Sequence, residues 1–201
     1  NFGKKEIKRY TFMMNNLNGK YVELYKQYHQ LHPEYGNGGA LRFYLNYVVD
    51  LIHDTKSQSL LDYGCGKAEG YLKHNHHRHW DWGIMPALYD PAIEQFKELP
   101  DGPFDGVICL DVLEHIPEEE IPQTLKNIYD RANKFVFLGI DTGLANAVLP
   151  DGNNAHCTIK SKKWWADMIK EHGTKVYTHI VTNGQDEGYQ ILNEESYLEM
   201  L

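Results

Sequence analysis

Residues 21–32, YVELYKQYHQLH, space Tyr21, Leu24, Tyr25, Tyr28 and Leu31 three or four apart, which lines one face of a helix. The polar run PEYGNGG at 33–39 ends that helix. LRFYLNYVVDLIH then resumes the period with Leu41, Leu45, Val48 and Ile52. From residue 59 the pattern changes. SLLDY (59–63) is a short apolar strand that stops at a glycine turn, and IMPALYD (84–90) reads as a second strand weakened by Pro86. FDGVICLD (104–111) and KFVFLGID (134–141) are apolar throughout, as strands covered on both faces are. Between them Pro117 and Glu118, Glu119 and Glu120 mark a helix start, with acids at the positive end of its dipole and Ile121, Leu125, Ile128 and Ala132 as its buried stripe. A long loop runs to Lys160. Ser161 then caps a helix that turns Trp165, Met168 and Ile169 inward and stops at Gly173. KVYTHIVT (175–182) and YQILN (189–193) are joined by NGQDEG alone, so they are antiparallel neighbours.

Strands alternating with helices predict an α/β fold: a Rossmann-like three-layer sandwich whose sheet is mostly parallel, with a C-terminal antiparallel strand. Residues 1–40 form a helical cap segment and 41–201 the sheet-bearing domain. The tyrosines of the first helix, with Tyr35 and the flexible YGNGG, make either a lid over a ligand or ordinary core packing. Trp164 and Trp165 divide in the same way, one inward and the other free to face a substrate.

Composition narrows the setting. At 201 residues and 42% hydrophobic, the chain suits one domain with a full core. Twenty basic against 28 acidic residues leave a formal net charge of -8, which disfavours a main grip on bare phosphate backbone. No stretch reaches the ~18–20 apolar residues of a membrane span, and none reads as a secretory h-region, so a cytoplasmic setting is expected. Asn1 in place of methionine suggests a trimmed start. Cys65, Cys109 and Cys157 form no CxxC pair and read as reduced, packed thiols.

The chemistry gathers where strands end. In SLLDYGCGKAEGYL (59–72), Gly64 and Gly66 follow the first strand, where a parallel sheet binds ligands and where the absence of Cβ lets a small molecule approach. A nicotinamide fingerprint requires glycine at 69, where the chain has Glu69. Asp62 would repel a pyrophosphate but suits an ammonium or sulfonium. Asp90, closing the next strand in LYDPAI, can accept two hydrogen bonds from a ribose diol. Asp111 ends PFDGVICLDVLEHIP, with Val112, Leu113, Glu114 and His115 after it.

LLDYGCG, YDPA and FDGVICLDVLEHI, in this order and spacing, resemble the signature series of class I S-adenosylmethionine-dependent methyltransferases, close to the small-molecule "type 11" branch. The resemblance spans residues 59–141 and implies S-adenosyl-L-methionine as cofactor. It implies that Asp62 with Gly64, Cys65 and Gly66 holds the methionine moiety. Asp90 with Pro91 would hold the ribose, and Asp111 and Val112 would flank the sulfonium. Ala68 stands where the family has its third glycine. Only thirteen residues, 91–103, separate Asp90 from the strand at Phe104, too few for the family's next helix, third strand and adenine-binding acid. A shortened or missing third strand is therefore expected, with Asp101 or apolar residues near Phe104 as alternative adenine contacts.

Methyl transfer to a hydroxyl or amine requires a proton acceptor, and a histidine's ordinary pKa near ~6.5 suits that work. His115 and His156 (in DGNNAHCT) are the candidates, with Asp141 holding substrate or orienting a histidine. The patch LKHNHHRHWDW (72–82) lacks helical or hairpin framing and reads as a solvated insertion, so no metal site is expected. No Asn/Asp-Pro-Pro-aromatic run, Pro-Cys nucleophile or Lys-Asp-Lys-Glu tetrad marks a nucleic-acid methyltransferase. The expected acceptor is an oxygen, or less favourably a nitrogen, of a small molecule or glycan. The alternatives are a domain that holds the cofactor without transfer and an enzyme that modifies nucleotides or RNA.

Overall fold

The apolar runs pair into one six-stranded sheet of order β2-β1-β3-β4-β5-β6, made from Leu60–Tyr63 (β1), Ala87–Tyr89 (β2), Phe104–Leu110 (β3), Ala132–Asp141 (β4), Tyr177–Asn183 (β5) and Gly188–Leu192 (β6). Every neighbouring pair is parallel except β5–β6. The molecule is seen in a computed structural model that describes residues 19–79, 82–173 and 176–198. Among these, no helix is long and apolar enough to cross a membrane. The first 18 residues of the expected 1–40 cap lie outside the described residues, as do Lys175 of the expected fifth strand and Trp80 and Asp81 of the histidine-rich patch.

Alternation along the strands divides the core. Val107 and Cys109 of β3 and Val136 and Leu138 of β4 face α5 (Ile121–Tyr129) and α6 (Lys162–His172). Ile108, Leu110, Phe135 and Phe137 face α2 (Leu41–Asp54). A smaller cluster packs Leu24 and Tyr28 of helix α1 (residues 19–31) against Leu149 and Ala155 in the loop after β4. That contact lays α1 across the carboxyl ends of the strands. The Ser161 cap forms as expected, its Oγ accepting from the Trp164 amide at 3.2 Å.

Several elements differ from expectation. β2 begins at Ala87, not Ile84, because Pro86 has no N–H for a ladder. Segment 91–103, by contrast, is as expected: it holds only a 3-10 turn at Glu94–Phe96, so the sheet ends at β2 without a third strand in between. The histidine-rich stretch is framed after all, by one-turn helices α3 (Glu69–Leu72) and α4 (His76–His79), with His77 buried. Leu31 is 68% exposed, beyond the last turn that α1 packs. Tyr44 and Leu51 join the buried face of α2, against which Leu45 packs partly buried, and Ala132 belongs to β4. Ala68 sits at φ +53, a left-handed conformation costing a non-glycine residue roughly 1–2 kcal/mol. The last helix, α7, is Glu194–Leu198.

Candidate active site

The strand order reverses at β1, and beyond the carboxyl ends of β1, β2 and β3 lies a cavity of about 830 Å³ roofed by α1 and loop 33–39. Gly64, Cys65 and Gly66 form part of its wall. The two glycines stand at φ +89 and +56. A Cβ on Gly64 would lie 2.3 Å from Val112, and one on Gly66 would lie 2.2 Å from the Gly36 carbonyl oxygen. The space the missing side chains leave is thus taken by the chain itself, where a ligand was expected. Loop 33–39 is bolted to the turn by Lys67 N–H donating to Gly36 O (2.6 Å) and Glu69 N–H to Asn37 O (3.0 Å).

The acids separate by depth. Asp62 is 6% exposed, lies outside the cavity wall and accepts from Tyr71 Oη at 2.8 Å, and burial pushes its carboxyl up to about 7. Asp90 is on the wall, with Oδ2 accepting from Gly66 N–H and Oδ1 from Ala92 N–H, both at 2.9 Å, and burial raises it. Pro91, Asp111 and Val112 are on the wall too. Asp111 has φ +52 and accepts from Tyr44 Oη at 2.7 Å; burial raises its carboxyl, and the Asp141 charge adds to that. The Cys65 thiol is held protonated by burial, with Asp62 second.

His115 and His156 meet at the far side of the same wall, their rings edge to face with centroids 4.6 Å apart. His156 Nδ1 lies 2.7 Å from Gly143 O, and its backbone N–H donates to Asn154 Oδ1 at 2.9 Å. A carbonyl can only accept, so the His156 proton is on Nδ1 and the Nε2 lone pair is free. His115 Nδ1 lies 3.1 Å from Ala155 O and 2.9 Å from Tyr25 Oη, which itself donates to Ala155 O at 2.5 Å. Burial, with His156 second, pushes His115 down to about 3. Glu114 is fully buried; its Oε1 accepts from Asp141 N–H at 2.9 Å and its Oε2 has no hydrogen-bond partner. Burial and the Asp111 charge push Glu114 well above the ordinary carboxylate range. Asp141 is on the wall with Oδ1 on Gly143 N–H (2.7 Å), so it braces the loop that holds His156.

Reading the chain missed three features. Glu120, taken as a helix-start acid, is on the wall and is pushed by burial up to about 7. Tyr63 and Tyr89, with ring centroids 4.8 Å apart, and Asn127 line the end nearest Asp90. Loop 33–39 contacts the glycine turn directly, and only its richness in glycine hinted at so close an approach. Asp101, Phe104 and Trp164 are not on the wall, whereas Tyr21, Tyr25, Tyr28 and Tyr35 are. Four carboxylates (Asp90, Asp111, Glu120 and Asp141) and, among the described residues, no Lys or Arg line the cavity. That donor set suits a positively charged ligand and fits a sulfonium cofactor.

No curated protein and no solved structure matches the chain significantly. A family model described as a methyltransferase domain matches residues 38–180, over two thirds of the chain and every strand to the middle of β5. With the mostly parallel sheet and the crevice at its reversal point, the chain belongs to the methyltransferase-domain family, as a class I S-adenosylmethionine-dependent methyltransferase.

Proposed function

We propose that the enzyme methylates a hydroxyl oxygen of a small molecule or glycan terminus bound in the 830 Å³ cavity between Asp111 and the histidine pair. One observation carries the reading: the glycine turn, Asp90, His115 and His156 all border one cavity. Its size, within the ~300–1,000 Å³ usual for ligand pockets, suits a cofactor beside a modest acceptor. The absence of Lys and Arg from the described wall leaves a polyanionic acceptor without counter-charge.

When bound, the cofactor supplies a methyl group on positively charged sulfur, open to in-line displacement. Asp90 accepts the ribose hydroxyls with the lone pairs that Gly66 and Ala92 leave free. Gly64, Cys65 and Gly66 hold the methionine end, with Asp62 and Tyr71 bracing the turn from beneath. Asp111 and Val112 flank the sulfonium. Pro91, Tyr63, Tyr89 and Asn127 are left to receive the adenine, since Asp101 and Phe104 are not on the wall. His156 takes the hydroxyl proton on Nε2, its ring held by Gly143 O. Alignment of this kind contributes on the order of 7–11 kcal/mol to the barrier reduction.

Calorimetry with S-adenosylmethionine tests the cofactor half. Asp90→Ala should weaken binding about 10- to 150-fold, because hydrogen bonds to a charged group contribute ~1.5–3 kcal/mol. Unchanged affinity in a folded variant would remove Asp90 from the ribose. For the acceptor half, release of S-adenosylhomocysteine is followed across pools of hydroxyl-bearing metabolites and oligosaccharides. His156→Ala should lower turnover roughly 10²–10⁴-fold while leaving cofactor affinity intact. Turnover only with amines would sink the oxygen assignment.

A further inference from the structure

We propose that His115 and His156 on the cavity wall and the buried Glu114 behind them form a divalent-cation site, whose open coordination positions take the acceptor's hydroxyl oxygen. One potential ligand atom from each residue lies within 4.8 Å of the other two. Ligands sharing an ion at bonds of ~2.1 Å sit about 3–3.5 Å apart, so the three side chains would draw together by rotation to close the set.

The surroundings are those of ligands, not of ordinary core residues. Each histidine is held through Nδ1 by a backbone carbonyl, Gly143 O for His156 and Ala155 O for His115, and this turns both Nε2 atoms into lone-pair donors. Orientation of metal-binding imidazoles by a carbonyl on the other nitrogen is the usual outer-shell arrangement. Glu114 is fully buried, yet Oε2 has no hydrogen-bond partner while Oε1 is held by Asp141 N–H. A buried carboxylate oxygen left unpaired is costly, and a cation satisfies it. Asp111 and Asp141 add negative charge nearby, and no Lys or Arg of the described wall offsets it.

Two imidazoles and one carboxylate favour Zn²⁺, Mn²⁺, Co²⁺ or Fe²⁺ over Ca²⁺ or Mg²⁺, which prefer all-oxygen shells. Three protein ligands leave positions toward the cavity that His115 and His156 border. An acceptor hydroxyl bound there loses its proton to solvent more readily. Its oxygen pair then forms the new C–O bond as the C–S bond breaks and the sulfur departs as a neutral thioether. This deepens the proposed hydroxyl methylation and rests on it; with an ion present, His156 Nε2 serves as a ligand instead of accepting the proton.

The test titrates chelator-stripped protein with Mn²⁺ alone, followed by electron paramagnetic resonance, and separately with S-adenosylhomocysteine by calorimetry. One Mn²⁺ per chain is expected, with binding weakened at least about tenfold in Glu114→Gln and in His156→Ala and thioether binding unchanged. Wild type that binds the thioether but no Mn²⁺, Co²⁺ or Zn²⁺ overturns the ion site and leaves methyl transfer standing. Wild type that binds an ion but no thioether overturns the cofactor reading instead. Equal ion binding by wild type and both variants also refutes the site. Should the variants not fold, hyperfine coupling in wild-type Mn²⁺ spectra decides: two imidazole nitrogens support the site and none overturns it.

Discussion

Asp62 lies one residue before the end of β1 and Asp90 follows the neighbouring β2, but only Asp90 reaches the cavity wall. Asp62 is buried beneath the glycine turn, where burial pushes its carboxyl up to about 7 from an ordinary 3.8; Asp90 adds to the rise and the Tyr71 hydroxyl opposes it. A folded-state pKa above the unfolded one means that the native chain binds this proton more tightly. The resulting stability is complete below the unfolded value near 4, is lost as pH rises through about 7, and changes no further above that. Three units correspond to roughly 4 kcal/mol. Asn keeps the shape, and its amide oxygen can accept from Tyr71. Asp62→Asn should therefore match wild type near pH 4 and exceed it progressively toward pH 8. Urea unfolding of both proteins between pH 4.5 and 8 checks this, and a constant stability difference across that range contradicts it.

Loop 33–39 and the glycine turn act as one element, because Gly36 and Asn37 accept hydrogen bonds from Lys67 and Glu69. Gly38 and Gly66 both have positive φ, so alanine at either incurs about 1–2 kcal/mol of backbone strain. A Cβ on Gly38 meets only ordinary contacts, the nearest at 3.5 Å, whereas one on Gly66 strikes the Gly36 backbone. Gly66→Ala should thus cost about 1–3 kcal/mol more than Gly38→Ala and loosen the cavity roof. Thermal melts of the pair test this, and equal losses would mean that the loop is not clamped to the turn. The strands and main helices were legible because apolar period and caps are local signals, and the thirteen residues at 91–103 announced the absent third strand. The clamp was not legible, since which backbone approaches a glycine is decided by tertiary packing. Nor was the meeting of Glu114 and His115 with His156, which depends on how the 142–157 loop folds back beneath α1.

At the scale of the molecule, the parallel sheet turns the ends of separate strands into one electrostatic surface. Asp90 follows β2, Asp111 follows β3 and Asp141 closes β4, and Glu120 joins them from the approach to α5. The chain carries a formal charge of -8, and the described wall of its cavity has no Lys or Arg. Methyl transfer converts a sulfonium to a neutral thioether, so this wall should favour substrate over product and thereby promote product release. Unit charges ~5 Å apart at an effective dielectric constant of ~20 interact by about 3 kcal/mol, and side-chain relaxation reduces that. On the proposed placement of the sulfonium beside it, Asp111 should carry part of this preference, although burial and Asp141 raise its pKa. Asp111→Asn should therefore lower the ratio of S-adenosylmethionine to S-adenosylhomocysteine affinity by roughly tenfold, a difference of ~1.4 kcal/mol. Calorimetry at pH 8 in chelator, which favours the ionised carboxylate and leaves added metal absent, measures both affinities. If the two ligands weaken equally, Asp111 serves the shape of the site through Tyr44 and not its charge.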